Sequence, residues 1–200
     1  LRLAIRGADI VFHAAAMKHV DICEENPFDA VKTNVVGTSN VLEACILENV
    51  SKFILISTDK ATSPSSTLGA SKLLAERLTL AASAYRGVGK TIFAVVRFGN
   101  VIGTRGSVFQ IFKDQILKGT PLTVTDKRMT RFLMSTSDAV SLILETTKIA
   151  KDGETYILKM NSVKIETLAK SMIESISKRY NLKKKLDIKF SKIRDGERLN

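Results

Sequence analysis

Phe53-Ile54-Leu55-Ile56-Ser57-Thr58-Asp59-Lys60-Ala61 decides the reading of this chain. Four apolar residues without alternation predict a strand buried on both faces, as in a parallel sheet covered by helices. The run ends in two hydroxyls, a carboxylate and an amine. Further on, Leu68-Gly69-Ala70-Ser71-Lys72 opens a strongly helical segment that carries a second lysine. Ionisable chemistry is therefore offered at the carboxyl end of a strand and at the start of the next helix. In open α/β sheets that edge is where ligands bind.

The flanking segments fit the same plan. Residues 8–13 read as a buried strand ending in Ala14-Ala15-Ala16. Such small residues admit a flat ligand or another backbone, and plain helix-on-sheet packing explains them equally well. Asn26-Pro27 starts a helix, with proline suited to its first turn. The helix runs to about Asn49, with Val31, Val35, Leu42, Cys45 and Ile46 apolar and with Asn34 and Asn40 needing partners if buried. A strand over 52–57, a polar loop over 58–67 and a helix over 68–86 follow. Residues 91–98 form a third strand, which Arg97 interrupts near its end.

The loop Gly99-Asn100-Val101-Ile102-Gly103 with Gly106 is a plain turn or a set of backbone amides for phosphate. Ser107 and Gly119 are the expected caps of a helix. A short strand over 122–125 precedes Lys127-Arg128-Met129-Thr130-Arg131-Phe132, which is rich in cations. Helices over 137–150 and 165–180 and strands over 154–159 and 186–190 complete the chain. Strand and long helix alternate in the early part, as in a doubly wound parallel α/β sheet.

The totals exclude several classes. Two hundred residues bury one substantial core, and 44% hydrophobic residues argue against disorder. No apolar run approaches the ~18 residues of a membrane span, and no secretory signal opens the chain. Cys23 and Cys45 are isolated thiols, which disfavours a disulfide framework or a zinc site and fits a reducing, cytoplasmic setting. His13 and His19 are too few for a histidine-rich metal centre, so no metal is expected. A net charge of +11 suits an anionic ligand such as a nucleotide diphosphate, and would also suit nucleic acid or an acidic membrane. The late excess at Lys178, Arg179, Lys183, Lys184 and Lys185 reads most plainly as a solvated face. With no tryptophan and 6% aromatics, stacking platforms for nucleic acid are scarce. The opening at Leu1, resembling a helix tail, and the stop at Asn200 suggest a piece of a longer polypeptide.

A lone Asp-Lys pair is weak evidence of function, because a structural ion pair at a helix entry has the same sequence. A lysine in such a cleft can lose proton affinity and act as a base, and a carboxylate beside it can act as an acid. A set of motifs adds to this. His13-Ala14-Ala15-Ala16-Met17-Lys18-His19-Val20, Lys32-Thr33-Asn34-Val35-Val36-Gly37-Thr38, Ser57-Thr58-Asp59-Lys60-Ala61, Gly69-Ala70-Ser71-Lys72, Arg97-Phe98-Gly99-Asn100-Val101, Gly106-Ser107 and Met129-Thr130-Arg131-Phe132 occur in order. Together they resemble the CapD-like nucleotide-sugar 4,6-dehydratases of polysaccharide biosynthesis, a branch of the extended short-chain dehydrogenase/reductases.

The resemblance implies a partial Rossmann-like sheet over 1–105. It implies a mixed region over 106–200 with a small C-terminal substrate lobe and sheet-completing elements. NAD or NADP and a UDP-N-acetylhexosamine are the implied cofactor and substrate, and members often form homo-oligomers. In the implied reaction a hydride leaves sugar C4, the C5 proton is abstracted, water leaves C6 and the hydride returns there, with or without inversion at C5. By resemblance Thr58 would bond the C4 oxygen, Asp59 would protonate the departing hydroxyl and Lys60 would take the C5 proton. Lys72 would hold the nicotinamide ribose. Ala14, Ala15, Lys18, Asn34, Ser57 and Arg97 are the further cofactor candidates, and His19, Asn100, Ser107, Arg131 and Glu197 the substrate candidates.

Three departures qualify the resemblance. The family's GxGxxG fingerprint is absent from this stretch, so 1–200 alone is expected to bind dinucleotide poorly. Leu68 stands where most of the superfamily has tyrosine, which leaves Lys60, Lys72 or a relayed water to take the C4 hydroxyl proton. The ending Asp195-Gly196-Glu197-Arg198-Leu199-Asn200 only approximates the family's Pro-Gly-Glu-Lys turn. Rival readings are a UDP-sugar 4-epimerase and a non-catalytic nucleotide-binding or scaffold relative, with a nucleic-acid binder behind both.

Overall fold

The computed structural model describes residues 1–104, 106–182, 186–193 and 196–199. Lys183, Lys184, Lys185, Asp195 and Asn200 lie outside the described residues. The chain divides into two units, Leu1–Phe98 with Val140–Leu158, and Gly99–Ala139 with Lys159–Asn200. The expected boundary at 105/106 falls later than this break, and residues 140–158 return to the first unit to finish its sheet.

The first unit holds α1 (Arg2–Ile5), β1 (Ile10–His13), α2 (Val20–Glu25), α3 (Pro27–Val31), a π-helical turn (Lys32–Val36), α4 (Gly37–Leu47), β2 (Lys52–Thr58), a 3-10 turn (Asp59–Ala61), α5 (Thr67–Ala81) and β3 (Ile92–Phe98). It also takes β7 (Glu154–Ile157). The four strands form one sheet in the order β1-β2-β3-β7, and every pairing is parallel. Phe12, Ile54 and Ala94 stand side by side across β1, β2 and β3. The two central strands have no wet face. Phe53, Leu55, Phe93 and Val95 pack with Leu42 and Cys45 of α4 and Ala75 of α5. Ile54, Ala94 and Val96, the alternate residues, are equally buried. That is why the sequence runs apolar without alternation.

The second unit holds β4 (Asn100–Val101), α6 (Val108–Leu117), β5 (Leu122–Val124), β6 (Thr130–Met134), β8 (Ser162–Lys164), α8 (Ile165–Tyr180) and β9 (Ile188–Phe190); α7 (Thr136–Ile149) crosses the division. β6 pairs with β4 in parallel and with β8 antiparallel, and β5 pairs with β9 in parallel. Phe112, Ile116, Leu122, Val124, Ile165, Ala169 and Met172 form its core.

Several details differ from the sequence reading. The helix over 26–49 contains a π-helical turn at Lys32–Val36, and α2 precedes it. β6 and β8 arise from pairing between residues 30 to 34 positions apart, which no local pattern announces. Ser107 occupies the position before α6 but makes no side-chain cap bond, whereas Gly119 takes φ +66° just past the helix. Among the described residues, no helix is long and apolar enough to cross a membrane.

Candidate functional site

The first unit gathers its polar side chains where β2 runs out. Thr58 takes an extended backbone, and its hydroxyl accepts from the Lys60 amide at 3.4 Å and donates to Asp59 Oδ1 at 2.9 Å. Lys60 Nζ donates to the same Oδ1 at 3.1 Å. The two side chains are 26% and 22% exposed, so the pair is partly shielded from water. The turn lies directly under α5: a Cβ on Gly69 would sit 2.4 Å from the Lys60 carbonyl oxygen and 3.0 Å from Pro64 Cβ. Ser66 caps α5 by accepting from Gly69 N at 3.1 Å. Glu24 of α2 accepts from the Thr67 amide at 2.6 Å and its hydroxyl at 3.0 Å, an anion placed at a helix N-terminus.

One turn into α5, Lys72 is buried and its Nζ donates to the Ile56 carbonyl of β2 at 2.7 Å. Desolvation lowers its pKa to about 8, while the Glu76 carboxylate pulls the other way. Ser57, which precedes both lysines in sequence, keeps a buried hydroxyl without a hydrogen-bond partner. An orphaned hydroxyl costs about 1–3 kcal/mol.

Arg97, expected to reach a cofactor, has other partners. It forks onto Glu76 with Nε–Oε1 at 2.9 Å and Nη2–Oε2 at 2.6 Å, and its Nη1 donates to Thr62 at 3.2 Å. Its guanidinium is committed to a helix and a loop. A bidentate partner that is itself 2% exposed explains the commitment.

Asn34 sits in the π-helical turn, completely enclosed. Its amide accepts from Met17 N at 2.8 Å and donates to Met17 O at 3.2 Å and Ser71 Oγ at 3.0 Å. It thereby ties the segment after β1 to α5. The Thr38 hydroxyl donates to the Asn34 carbonyl at 2.7 Å, so the contact of 3.0 Å with His13 Nε2 has the imidazole as donor. His13 is neutral in this arrangement. Desolvation, and then the charge on Lys72, lower its pKa from 6.5.

The unfolded chain therefore takes up this proton first as pH falls. The contribution of His13 to stability is whole above about pH 6.5 and is lost as pH drops through the folded value. His13→Gln, which keeps a donor to Thr38, is expected to flatten the fall in stability below pH 6.5. Denaturant unfolding of parent and variant from pH 5 to 7.5 checks this, and a pH-independent difference between them would refute it.

Ala14 and Ala15 are exposed just past β1, Lys18 is exposed, and His19 is half-buried before α2. Leu68 is buried with Cys23 and Ala30 against Met17 and Val20, so the residue in the tyrosine position serves as packing.

The second unit groups its own candidates. Arg131 Nη1 donates to the Thr130 and Leu199 carbonyls at 2.7 and 3.3 Å, and Nη2 to the Arg198 carbonyl at 2.7 Å. Glu197 Oε1 lies 3.5 Å from Arg131 Nη2 and 3.4 Å from Thr125 Oγ1. Arg131 and Glu197 are thus one cluster. Asn100 is on β4 opposite Leu133, and Ser107 carries a second buried hydroxyl without a hydrogen-bond partner. Sequence reasoning missed Glu76, Thr38 and Glu24. Only the first left a signal, its i+4 spacing from Lys72 on a helix.

The family described as "Polysaccharide biosynthesis protein" matches residues 1–200. An uncharacterized membrane protein of Methanocaldococcus jannaschii is 53% identical over the whole chain, which covers 60% of that relative. The capsular polysaccharide biosynthesis protein CapD of Staphylococcus aureus is 46% identical over 94% of the chain and 31% of its own length. A UDP-glucose 4-epimerase of Rickettsia rickettsii is 43% identical over 98% of the chain and 55% of its own length. Among solved structures, Pen from Bacillus thuringiensis superposes with a TM-score of 0.94 at 45% identity, covering 99% of this chain and 60% of Pen. A mutant UDP-glucuronic acid 4-epimerase from Bacillus cereus, in complex with UDP-4-deoxy-4-fluoro-glucuronic acid and NAD, superposes with 0.83 at 25% identity, covering 98% of this chain and 66% of that one. The chain spans 60% or less of the length of the three curated relatives.

Proposed function

The chain belongs to the polysaccharide biosynthesis protein family, matched over residues 1–200, and on that premise we propose that the whole protein is an NAD(P)-dependent 4,6-dehydratase of a UDP-N-acetylglucosamine-type sugar. The observation that carries this reading is the 3.1 Å contact between Lys60 Nζ and Asp59 Oδ1 at the end of β2. One internal proton transfer turns that ion pair into a neutral amine beside a carboxylic acid. On a 4-keto sugar the amine takes the C5 proton, and the acid gives its proton to the departing C6 hydroxyl. The C5–H and C6–O bonds break, a C5–C6 double bond forms, water leaves, and the side chains end as the ion pair they began as. An acid and a base acting together are worth about 100- to 10,000-fold each in such steps. Thr58, whose hydroxyl donates to Asp59, would turn it to the C4 oxygen.

The residues present suit a dinucleotide. The orphaned Ser57 hydroxyl, the exposed Ala14 and Ala15 at the strand edge, and the buried ammonium of Lys72 supply a polar anchor, room for a flat ring and a cation. NAD, when bound, takes a hydride from C4 and returns it at C6; the NAD of the Bacillus cereus epimerase favours NAD over NADP. Lys72, Ser57, Asn34 and the 14–18 segment would hold it. Asn100, Ser107, Arg131 and Glu197 would hold the nucleotide part of the substrate, for which the free Ser107 hydroxyl and the Arg131–Glu197 cluster speak.

The Rickettsia relative's name supports a second reading, a UDP-sugar 4-epimerase. Epimerisation uses the first hydride step but needs neither a C6 acid nor a C5 base, so it leaves the Asp59–Lys60 pair without a task. Full-length protein incubated with UDP-N-acetylglucosamine separates the readings. Alkali-induced absorbance of a 4-keto product is expected. Accumulation of UDP-N-acetylgalactosamine would assign the epimerase, and neither product, with NAD still bound, would point to a non-catalytic relative.

A further inference from the structure

One turn beyond Lys72 on α5 lies a buried carboxylate with no assigned role. Glu76 lies one turn further along α5, on the face that meets β3, and is 2% exposed. A carboxylate buried that deeply needs a countercharge and hydrogen bonds. Arg97 of β3 supplies both through the fork at 2.9 and 2.6 Å. The same guanidinium reaches Thr62, just past the Asp59–Ala61 turn, at 3.2 Å. In the sheet, Arg97 also stands opposite Ser57 of β2. Glu76 and Arg97 therefore join three pieces: the helix carrying Lys72, the loop leaving the Asp59–Lys60 turn, and β3, which runs beside Ser57 of β2.

We propose that Glu76 is a positioning residue: held by Arg97, it fixes α5 against the Asp59–Lys60 turn and keeps a buried negative charge beside the Lys72 ammonium. The role of Lys72 toward a cofactor rests on the proposed function; the coupling of Glu76 to Lys72 does not. Burial drives the Lys72 proton off, and Glu76 is the group that opposes this. Among the described residues, several titratable groups packed near α5 have partners of their own. His13 of β1 is neutral and bonded to Thr38, Asp59 and Lys60 of the turn bond each other, Glu24 of α2 caps Thr67, and Arg97 of β3 faces Glu76. The spacing has a chemical sense. A lysine that donates to a backbone carbonyl and to a ligand must stay charged in a dry place, and one carboxylate at i+4, itself neutralised in part by arginine, achieves this without collapsing onto it.

The test is direct observation of the Lys72 Nζ titration by NMR in full-length protein labelled with 15N-lysine, assigned with Lys72→Arg. In Glu76→Gln the midpoint is expected to move to lower pH by about one unit, with Glu76→Asp restoring part of the shift. A folded Glu76→Gln whose Lys72 titrates as in the parent overturns the proposal. If Glu76→Gln leaves Arg97 uncompensated and does not fold, the paired variant Glu76→Gln/Arg97→Gln keeps a neutral hydrogen-bonded contact, and the same downward shift is required of it. Product formation is measured alongside. Failure of the dehydratase reading appears as absent 4-keto product in the parent, whereas failure of this proposal appears as an unmoved Lys72 midpoint.

Discussion

Lys60→Met in the full-length protein is expected to lower turnover of the nucleotide sugar by about 100- to 10,000-fold while leaving NAD binding within a factor of two or so. Methionine keeps the length and apolar stem of the side chain but cannot take a proton. Lys60 bonds Asp59 within its own turn, whereas the groups proposed to hold the cofactor lie on the 14–18 segment, the π-helical turn, β2 and α5, so the two properties separate. A second readout locates the lesion. With solvent deuterium, the parent exchanges the C5 position during turnover, and Lys60→Met is expected to lose that exchange. Asp59→Asn keeps Lys60 but removes both the acid and the group that accepts the Lys60 proton; it should fail to expel the C6 hydroxyl and exchange C5 more slowly than the parent. Normal turnover in Lys60→Met would remove the amine from the mechanism. Loss of C5 exchange in Asp59→Asn but not in Lys60→Met would reverse the two assignments.

That experiment concerns the stretch that was most legible. The run 53–56 announces a doubly buried strand because β2 is central, with β1 and β3 on either side, α4 and α5 against one face and Ile54 buried on the other. The second helix of the C-terminal region was read to its last residue, 165–180, because one face feeds a single core through Ile165, Ala169 and Met172. Features set by distant partners were not legible. The π-helical turn at 32–36 exists where Asn34 meets Met17 and Ser71, and nothing within the helix itself predicts either contact. β8 is three residues long and is a strand only because β6 lies beside it. Arg97 illustrates the limit best. The resemblance implies a cofactor contact for it, yet its bidentate partner is a glutamate on a helix 21 residues earlier. Sequence order hides such a pairing until the strand and the helix are packed.

Gly69→Ala is expected to destabilise the full-length protein by about 3 kcal/mol, at the upper end of overpacking costs, and to lower Tm by roughly 5 °C or more. Two effects of opposite sign compete. In a helix, alanine in place of glycine is worth up to about 1 kcal/mol in its favour. Against that, the new methyl would stand 2.4 Å from the Lys60 carbonyl oxygen and 3.0 Å from Pro64 Cβ. The near atom is backbone in a short 3-10 turn held by Thr58 and Asp59, so no rotamer change relieves the clash. Either α5 or the turn must move, and the steric term wins. Gly37→Ala is the control, because its methyl would meet only the Lys32 carbonyl at 3.6 Å, an ordinary contact. That substitution should stabilise by about 0.5–1 kcal/mol. Because the displaced turn carries both Asp59 and Lys60, Gly69→Ala should also lose most of its turnover at temperatures where it remains folded. Thermal unfolding by circular dichroism, together with product assays well below Tm, measures both. An alanine variant as stable and as active as the parent would mean that the turn does not rest on α5 as the structure has it, and the geometry assigned to the acid–base pair would have to be abandoned with it.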